Sequence, residues 1–444
     1  MLIKEILELS KSKLINGEST NIDHFTINTN DIKGKTMFFP LKGKTDGHNY
    51  ILNGVDEGLA GFFVEPGHED IIEEALAKNK KLVIVEVKDC LKALQELATK
   101  TRERLTVPVI ALTGSFGKTS QREMIYSVLK TEFNVLTTVG NLNNHIGMPL
   151  TLINYNGEDV VLLELGSNHM GEIAFLRNIC KPTITLVTNI GTAHIGNFKK
   201  LKNTLKEKTS IAKDSRYFLR NMDDSMIKHA KIDAENIIEY GVHESDISNI
   251  ILGKKNRYTI TVNNKRHKIT INNDIEYLIN YSICALKIGL LLEMDIKNII
   301  KGIDNFKCAP SRMEKMNIGR NILINDCYNA SYETMISGLE YFYKQTNKNK
   351  IVILGDILEQ GRMSSKIHMN IAKYIFKNNL NFNEIHLVGK EMKKVYNYLR
   401  KKDFNVFYYP KVDDVDPEIL KNKSVYLKAS NGVGLSKLIP KKEA

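Results

Sequence analysis

Short apolar runs alternate with amphipathic stretches along almost the whole chain. In the first hundred residues, "TMFFPLKG", "AGFFVEP" and "KLVIVEV" predict strands, while "DIIEEALAKN" and "CLKALQELATKTRERL" predict helices. The first stretch, "MLIKEILELSKSK", has the pattern of a further amphipathic helix. Residues 1–104 are therefore expected to form a small α/β domain.

The pattern changes after "ERLTVP", which we interpret as a domain junction. From residue 105 to residue 310 the runs "VPVIALTG", "NVLTT", "DVVLLELG" and "TITLVTNIG" alternate with helices. Fully apolar strands in a βαβ order predict a doubly wound parallel sheet. Residues 311–444 alternate again, with "ILIND", "KIVILGD", "EIHLVG", "NVFYY" and "SVYLKAS" as strands, and predict a second, smaller open sheet.

Composition and charge narrow the class of protein. The chain of 444 residues is 42% hydrophobic and 26% charged, which is usual for globular proteins. No apolar run approaches the ~18 residues that span a bilayer, and the N-terminal stretch lacks a cleavage site. Five cysteines lie far apart without a CxxC pair, which favours reduced thiols. We expect a cytoplasmic protein without membrane insertion.

The net charge of +12 raises the question of a polyanionic partner. The lysines are spread along the chain between Asp and Glu, with no arginine-rich block and no nucleic-acid motif. This pattern indicates a solvated basic surface or attraction of small anionic substrates. No nucleic-acid partner is expected.

The segment "IALTGSFGKTSQREM" has the order strand, glycine turn, lysine and helix start. Loop glycines let backbone N–H groups face phosphates, and the following helix presents its positive end. Lys118 would neutralise phosphate charge and the Thr119 hydroxyl would bind magnesium. Leu112 replaces one glycine of the full Walker pattern, so this is a shortened variant. The predicted nucleotide-binding residues are Gly114, Ser115, Phe116, Gly117, Lys118, Thr119 and Ser120.

Metal-competent side chains follow the next two buried strands. Glu164 ends "VVLLELG", and Asn189 and His194 follow "LVTNIGTAHIG". Ligands of open α/β sheets bind at the carboxyl ends of the strands. A single loop histidine is often structural, but two neighbouring strand ends beside a phosphate loop favour a metal site.

Lys208 lies in the amphipathic segment "LKNTLKEKTSIAK", on the apolar stripe that Leu201, Leu205 and Ala212 define. One interpretation is that its stem packs while the ammonium reaches solvent. The other is a lysine kept from water, which loses its proton easily and becomes nucleophilic.

Together these residues resemble the Mur ligase family, the ATP-dependent amide ligases of peptidoglycan precursor synthesis. The resemblance covers nearly the whole chain and is strongest to the members that add D-alanyl-D-alanine to a UDP-linked tripeptide. It implies three domains: a UDP-sugar domain, a central ATPase and a C-terminal Rossmann-like domain that brings the amine. The matching motifs, in order, are "TGSFGKTS", "GNLNNHIGMPLTL", "ELGSNHMGEI", "TNIGTAH", "SRMEKM", "NDCYNASYETM" and "ILGDILEQG".

The resemblance also implies roles. The cofactors are ATP, two Mg²⁺ ions and a carbamate on Lys208, and the reaction passes through an acyl phosphate that an amine attacks. Catalytic roles are expected for Lys118, His194, Lys208 and Asn189, and metal-binding roles for Thr119, Glu164, His194 and Lys208. Nucleotide contacts are expected from Asn280, Arg312 and Asp326. The expected substrate residues are Thr29, Asn30, Lys42, Gly43, Asp46, His48, Asn141, Asn143, Asn144, Asn329, Lys428 and Ser430.

Four motifs depart from the family pattern. Where the family has an Asp-[Ser/Thr]-Arg run, this chain has Asn28-Thr29-Asn30, and where the family has a His-Asn pair, it has Glu276-Tyr277. Gly196 stands in the place of an acidic residue, and residues 428–431, "KASN", stand in the place of Lys-Gly-Ser-Arg. In the first of these, basic side chains nearby would supply the lost charge: Lys33, Lys35, Lys42 and Lys44.

Three hypotheses therefore remain. The first is the peptidoglycan ligase, and the second is a Mur-type ligase retargeted to another acid and amine, such as a cofactor, secondary metabolite or non-murein wall precursor. The third is a P-loop switch or nucleic-acid ATPase. The switch is disfavoured because this chain has "TNIG" where GTPases have the guanine-binding motif Asn-Lys-x-Asp. For either ligase the partners are small molecules, and a monomer is expected.

Overall fold

The N-terminal sheet has five short strands in a computed structural model, which describes residues 1, 3–9, 12–18, 21–318, 321–345 and 349–439. The strands are β1 (Lys13–Asn16), β2 (His24–Thr26), β3 (Thr36–Phe38), β4 (Gly61–Val64) and β5 (Val83–Glu86). Their order is β1-β5-β4-β3-β2, and β1 alone among them is antiparallel. The helices here are α1 (Ile3–Ile6), α2 (Ile51–Asp56), α3 (Glu69–Lys78) and α4 (Cys90–Arg104).

The N-terminal helix is shorter than the predicted thirteen-residue stretch. It ends at Ile6, and the Ser12 hydroxyl then donates to the carbonyls of Leu7 and Leu9 at 3.1 and 3.0 Å. A serine that bonds local carbonyls in this way competes with helical hydrogen bonding. Positions 2, 10 and 11 of the predicted helix lie outside the described residues.

The central sheet is wholly parallel, and the first four of its six strands along the chain are the predicted apolar runs. Its strands are β6 (Val109–Thr113), β7 (Val135–Thr137), β8 (Val160–Glu164), β9 (Ile184–Val187), β10 (Ser215–Asn221) and β11 (Ala234–Tyr240), in the order β11-β10-β9-β6-β8-β7. Its helices are α5 (Lys118–Leu129), α6 (Gly147–Ile153), α7 (Glu172–Cys180), α8 (Ile195–Phe198), α9 (Leu201–Thr209), α10 (Ser225–Lys228), α11 (Leu278–Leu291) and α12 (Ile296–Asp304).

Both faces of this sheet are covered. Along β6, Ile110 and Leu112 pack into one core, and Val109 and Ala111 pack into another that continues into the N-terminal sheet. Successive side chains of a strand point to opposite faces, so β6 is buried on both sides. Helix α4 lies against α6 and α7 and thereby seats the N-terminal sheet on the central one.

An antiparallel sheet interrupts the βαβ order that we predicted up to residue 310. It consists of β12 (Ile247–Ile251), β13 (Asn256–Val262) and β14 (Lys265–Ile271). Asn263 and Asn264 connect β13 to β14 with φ of 48° and 62°. Asparagine tolerates this left-handed conformation, which two-residue hairpins require. The alternating segment "RYTITVNNKRHKITI" contained this signal.

The C-terminal sheet has six strands, as many as the central sheet, so it is not smaller in strand number as we expected. They are β15 (Glu314–Ile318), β16 (Asn321–Asp326), β17 (Lys350–Gly355), β18 (Glu384–Val388), β19 (Val406–Tyr409) and β20 (Ser424–Lys428). Their order is β15-β16-β20-β17-β18-β19, with β15 antiparallel. The helices are α13 (Tyr332–Lys344), α14 (Ser364–Lys377) and α15 (Met392–Arg400). Among all the described helices, none is long and apolar enough to cross a membrane.

Candidate active site

The phosphate loop joins β6 to α5 and needs glycine at two positions. Gly114 has a φ of 155°, and a Cβ there would lie 1.9 Å from Thr188 Oγ1. Gly117 has a φ of 74°, and a Cβ there would lie 1.9 Å from the Tyr281 hydroxyl. Any side chain would therefore displace the loop. Helix α5 begins at Lys118, directly after the loop, so its N-terminal N–H groups face any bound phosphate.

Lys118 folds back over this loop. Its Nζ donates to the carbonyl of Gly114 at 2.8 Å. Burial lowers the pKa of Lys118, the negative charge of Glu164 opposes that shift, and the guanidinium of Arg312 adds to it. The side chain thus has a hydrogen bond to the loop but no ion pair among the described residues, which suits a group that receives phosphate charge.

Asn189 braces the loop from the end of β9. Its Oδ1 accepts from the N–H of Phe116 at 3.0 Å, and its Nδ2 donates to the carbonyl of Phe116 at 2.9 Å. Its own carbonyl accepts from the N–H of Ser115 at 3.1 Å. Because the amide is engaged with backbone, it is not free for the metal that we expected it to face. The geometry makes Asn189 a positioning residue.

Thr119 and Glu164 meet at the centre of the site. The Thr119 hydroxyl donates to Glu164 Oε2 at 2.9 Å, and Asn143 Nδ2 donates to Oε1 at 2.8 Å. Arg122 NH1 lies 3.3 Å from Oε2, and Arg312 NH2 donates to the Thr119 hydroxyl at 2.8 Å. A carboxylate and a hydroxyl beside a phosphate loop are the hard oxygen ligands that Mg²⁺ prefers. These residues fit a magnesium ion.

His194 precedes α8 with a left-handed φ of 56°. Its Nδ1 pairs with the carboxylate of Glu359, which belongs to the C-terminal part of the chain. Burial lowers the pKa of His194, and the charges of Lys118 and Lys208 lower it further against the opposing effect of Glu359. A lowered pKa favours the neutral imidazole, the form that binds metals.

Lys208 does not reach solvent: its exposed fraction is 1%. The Nζ donates to Ser167 Oγ at 2.8 Å and to Ser167 O at 3.3 Å. Burial and repulsion from Lys118 hold the pKa of Lys208 well below its usual range. The snorkelling interpretation is wrong, and so is the assignment of Leu201 to the apolar stripe, because Leu201 is exposed. The lowered pKa favours the neutral, nucleophilic form of this amine.

A cavity of about 1030 Å³, which we call the phosphate cavity, opens between the central and C-terminal sheets. Most predicted site residues line it: Ser115, Phe116, Gly117, Lys118, Thr119, Ser120, Asn141, Asn143, Asn144, Glu164, His194, Arg312, Asp326, Asn329 and Lys428. Asp326 accepts from Lys428 Nζ at 2.7 Å, and Arg312 lies over the ring of Tyr328 at 4.0 Å.

Five predicted residues of the central and C-terminal parts do not line this cavity: Gly114, Asn189, Lys208, Asn280 and Ser430. Asn280 Nδ2 donates to Asp223 Oδ2 at 2.6 Å and to Asn221 Oδ1 at 3.0 Å, in a polar cluster at the end of β10. Ser430 Oγ accepts from the N–H of Leu358 at 3.0 Å and is buried. Their hydrogen bonds hold neighbouring loops.

A second cavity of about 660 Å³, the N-terminal cavity, contains Thr29 and Asn30. The other predicted residues of this part lie outside its lining: Lys42, Gly43, Asp46 and His48. Lys42 pairs with Glu65 at 2.5 Å, and Asp46 accepts from His48 Nδ1 at 2.6 Å. His48 Nε2 also accepts from the N–H of Glu65 at 3.2 Å, so this imidazole is fully engaged in the fold.

Two candidate site residues lie in motifs quoted above but were not predicted as site residues from the sequence. Glu359 lies in the quoted motif "ILGDILEQG", and Arg122 lies directly after the phosphate loop in "GKTSQRE". Neither could be placed from spacing, because each acts on a residue distant in sequence.

The chain matches the model of the Mur ligase middle domain over residues 112–288. It is 30% identical over 440 residues to the UDP-N-acetylmuramoyl-tripeptide–D-alanyl-D-alanine ligase of Rickettsia prowazekii, with 95% of each chain covered. A crystal structure of MurF from Acinetobacter baumannii has a similar fold, with a TM-score of 0.80, 24% identity and coverage of 94% of this chain and 93% of that one. MurF from Thermotoga maritima in complex with ADP has a TM-score of 0.74 and 21% identity, covering 94% and 96%.

These similarities extend over the phosphate loop and over the N-terminal, central and C-terminal sheets. The protein is therefore an enzyme of the ATP-dependent, ADP-forming carboxylate–amine ligase class. Within that class, the chain belongs to the Mur ligase family. The family and the α/β fold class that the sequence predicted are confirmed.

Proposed function

We propose that the protein joins D-alanyl-D-alanine to UDP-N-acetylmuramoyl-tripeptide in peptidoglycan precursor synthesis. The observation that carries this proposal is the full-length similarity to the Rickettsia prowazekii enzyme of that name. The phosphate cavity supplies the chemistry that the reaction needs, since basic, acidic and metal-competent groups converge in it. The domains proposed are residues 1–104 for the UDP-linked acceptor, 105–310 for ATP and 311–444 for the amine.

The first step would activate the carboxylate of the tripeptide. Carboxylate and γ-phosphate repel each other, and Lys118 and the N-terminal N–H groups of α5 lower that repulsion. A carboxylate oxygen attacks the γ-phosphorus, the bond to the β,γ-bridging oxygen breaks, and ADP leaves. Asn189 keeps the loop in place through Phe116.

In the second step the amine of D-alanyl-D-alanine attacks the acyl carbon. Phosphate leaves, the amine loses a proton, and an amide remains. Asn329 and Lys428 line the side of the phosphate cavity that the C-terminal sheet contributes, and we propose that they orient the dipeptide. Closure of the three domains around the substrates would exclude water, which would otherwise hydrolyse the acyl phosphate.

Magnesium would be held by Thr119 and Glu164, with His194 and a modified Lys208 at a second position. The ion would screen phosphate charge and orient the γ-phosphate for in-line attack. Glu164 is anchored by Asn143 and Arg122, so its carboxylate is oriented before any ligand binds.

Carbamylation is the proposed state of Lys208. Its neutral amine attacks carbon dioxide, a C–N bond forms, and one proton is released to solvent. The product is a carboxylate on a buried side chain, beside Ser167 Oγ. This change places an anion on the buried side chain and accounts for a lysine that lacks an acidic partner among the described residues.

The proposal is tested by incubating the protein with ATP, Mg²⁺, UDP-N-acetylmuramoyl-tripeptide and D-alanyl-D-alanine. We expect equimolar ADP, phosphate and UDP-linked pentapeptide, identified by mass spectrometry. Omission of either substrate should abolish product formation. Release of AMP and pyrophosphate would contradict the mechanism, and full ATP turnover without pentapeptide would contradict the substrates. We further propose that the enzyme acts as a cytoplasmic monomer, which light scattering and fractionation can check.

A further inference from the structure

Two carboxylates of the C-terminal part of the chain hold one short segment of the central part, residues 191–196. Glu333, at the start of α13, accepts from the N–H and the hydroxyl of Thr192 at 2.9 and 3.0 Å. Glu359, in the loop after β17, pairs with Nδ1 of His194. We call these two contacts the clasp. They bridge the two sheets at the rim of the phosphate cavity, which His194 lines.

Beside the clasp, the backbone at Gly196 packs so closely against residues 359–361 that no side chain fits at this position. The N–H of Gly196 donates to the carbonyl of Glu359 at 3.3 Å. A Cβ on Gly196 would lie 2.7 Å from that carbonyl oxygen and 2.7 Å from the nitrogen of Gly361. His194 and Glu359 both have a positive φ, of 56° and 63°, which is unfavourable for residues with a side chain. The surrounding contacts therefore hold both residues in unusual conformations.

The two contacts of the clasp, which we call its arms, involve different kinds of group in the central part of the chain. Glu333 contacts a threonine and backbone, whereas Glu359 contacts an imidazole of the proposed metal site. An Nδ1–H that donates to a carboxylate leaves the lone pair on Nε2, which has no hydrogen-bond partner among the described residues. A carboxylate behind a histidine in this way fixes its tautomer and ring orientation and raises its basicity.

We propose that Glu359 is a positioning residue that orients His194 for metal binding from the C-terminal part of the chain. His194 then has its working orientation only while that part is docked on the central sheet. Docking of the amine-bearing domain and completion of the phosphate site would occur together, so an undocked molecule would hydrolyse little ATP. The inference rests on the proposed function for the identity of the reaction.

The test compares Glu359→Ala and Glu359→Gln with Glu333→Ala, which removes the other arm of the clasp and leaves the His194 pair intact. Two measurements are made on the full-length protein. The first is the ¹⁵N spectrum of labelled histidine, with His194 assigned by a His194→Gln variant. The second is Mn²⁺ affinity by electron paramagnetic resonance with a non-hydrolysable ATP analogue. Circular dichroism verifies that each variant is folded.

We expect the Nδ1–H tautomer of His194 in the unmodified protein and in Glu333→Ala. In Glu359→Ala that tautomer should be lost and Mn²⁺ affinity should fall about 10–100-fold. Glu359→Gln should lie between, because the amide oxygen still accepts a hydrogen bond. Equal weakening of Mn²⁺ binding by Glu333→Ala would show that the clasp acts through docking alone and would overturn the proposal. So would an unchanged tautomer in Glu359→Ala. Both readouts are independent of turnover, so a failure of the proposed function remains distinguishable.

Discussion

The phosphate cavity and the N-terminal cavity differ in how their polar groups are held. Glu164 lines the phosphate cavity, and Lys208 donates to Ser167, which also lines it. Both side chains are at least 98% buried, and their functional atoms have specific hydrogen-bond partners. In the N-terminal cavity, the side chains of Asn28 and Asn30 are neutral. Asn28 Oδ1 accepts a hydrogen bond from the backbone N–H of Asn30 at 3.1 Å, which is a contact between residues close in sequence.

This contrast indicates which site requires fixed positions for its charged groups. Charges that act on a transferring phosphate must be oriented before reaction, in a site with little water. A cavity that only recognises a substrate can exchange one set of hydrogen-bonding groups for another at a moderate cost in affinity. The departures from the family motifs at Asn28 and Asn30 fall in the N-terminal cavity, which we propose is a site of the second kind.

The largest effect is expected from Lys118→Ala. Removal of the ammonium leaves γ-phosphate charge uncompensated in the transition state, so kcat/KM should fall by about 10³-fold. ATP-dependent formation of the pentapeptide measures it. Lys130→Ala, an exposed change directly after the C-terminal end of the same helix, is the control and should be close to the unmodified protein. Near-normal turnover of Lys118→Ala would place the ATP site elsewhere.

Lys208→Ala should be the next most severe change, with a loss of about 10²-fold or more, because a proposed second metal position loses its carboxylate. A short-chain carboxylic acid in the assay should restore part of the activity. Lys208→Arg should remain inactive, since a guanidinium keeps its charge and cannot take up carbon dioxide.

Lys206→Ala, on the exposed face of α9, is the matched control. Mass spectrometry under bicarbonate should detect the carbamate as an added 44 Da, the mass of one carbon dioxide molecule. An active Lys208→Arg enzyme would show that the lysine is structural.

Asn189→Ala should act on ATP binding more than on the chemical step. Two hydrogen bonds to Phe116 are lost, each contributing about 0.5–1.5 kcal/mol, so KM for ATP should rise about tenfold. Steady-state kinetics separate KM from kcat. Asn156→Ala, at an exposed loop position, should leave both unchanged. A fall in kcat alone would mean that Asn189 contacts the reacting groups.

The smallest effects are expected in the N-terminal part of the chain. We expected nearby lysines to replace the lost charges, but Lys33 pairs with Asp31 at 2.6 Å and Lys42 pairs with Glu65 at 2.5 Å. Exposed charges of this kind contribute little, so Lys42→Ala and Lys44→Ala should each weaken binding of UDP-N-acetylmuramoyl-tripeptide at most about fivefold. Calorimetry at low and high salt measures this. A loss above a hundredfold would remove the contrast between the two cavities.

Much of the site was predictable because it follows the ends of buried strands. The order strand, glycine turn and helix located Lys118 and Thr119, and the apolar run before Glu164 placed that carboxylate at the same sheet edge. Parallel strands bring their carboxyl ends together whatever the intervening sequence. The antiparallel sheet at residues 247–271 was missed because its alternating pattern was not separated from the βαβ order around it.

Local sequence by itself determined the apolar strands that end at the site, the glycine conformations of the phosphate loop and the class of ligand that the loop can hold. Those properties depend on residues that are neighbours in the chain. The tertiary structure alone decided that Lys208 is buried, that Asn189 is engaged with Phe116, and that Glu359 reaches His194 from another sheet. The burial of a side chain and its pairing with a distant segment depend on how the sheets pack together. The hydrophobic pattern of a single segment does not predict that packing.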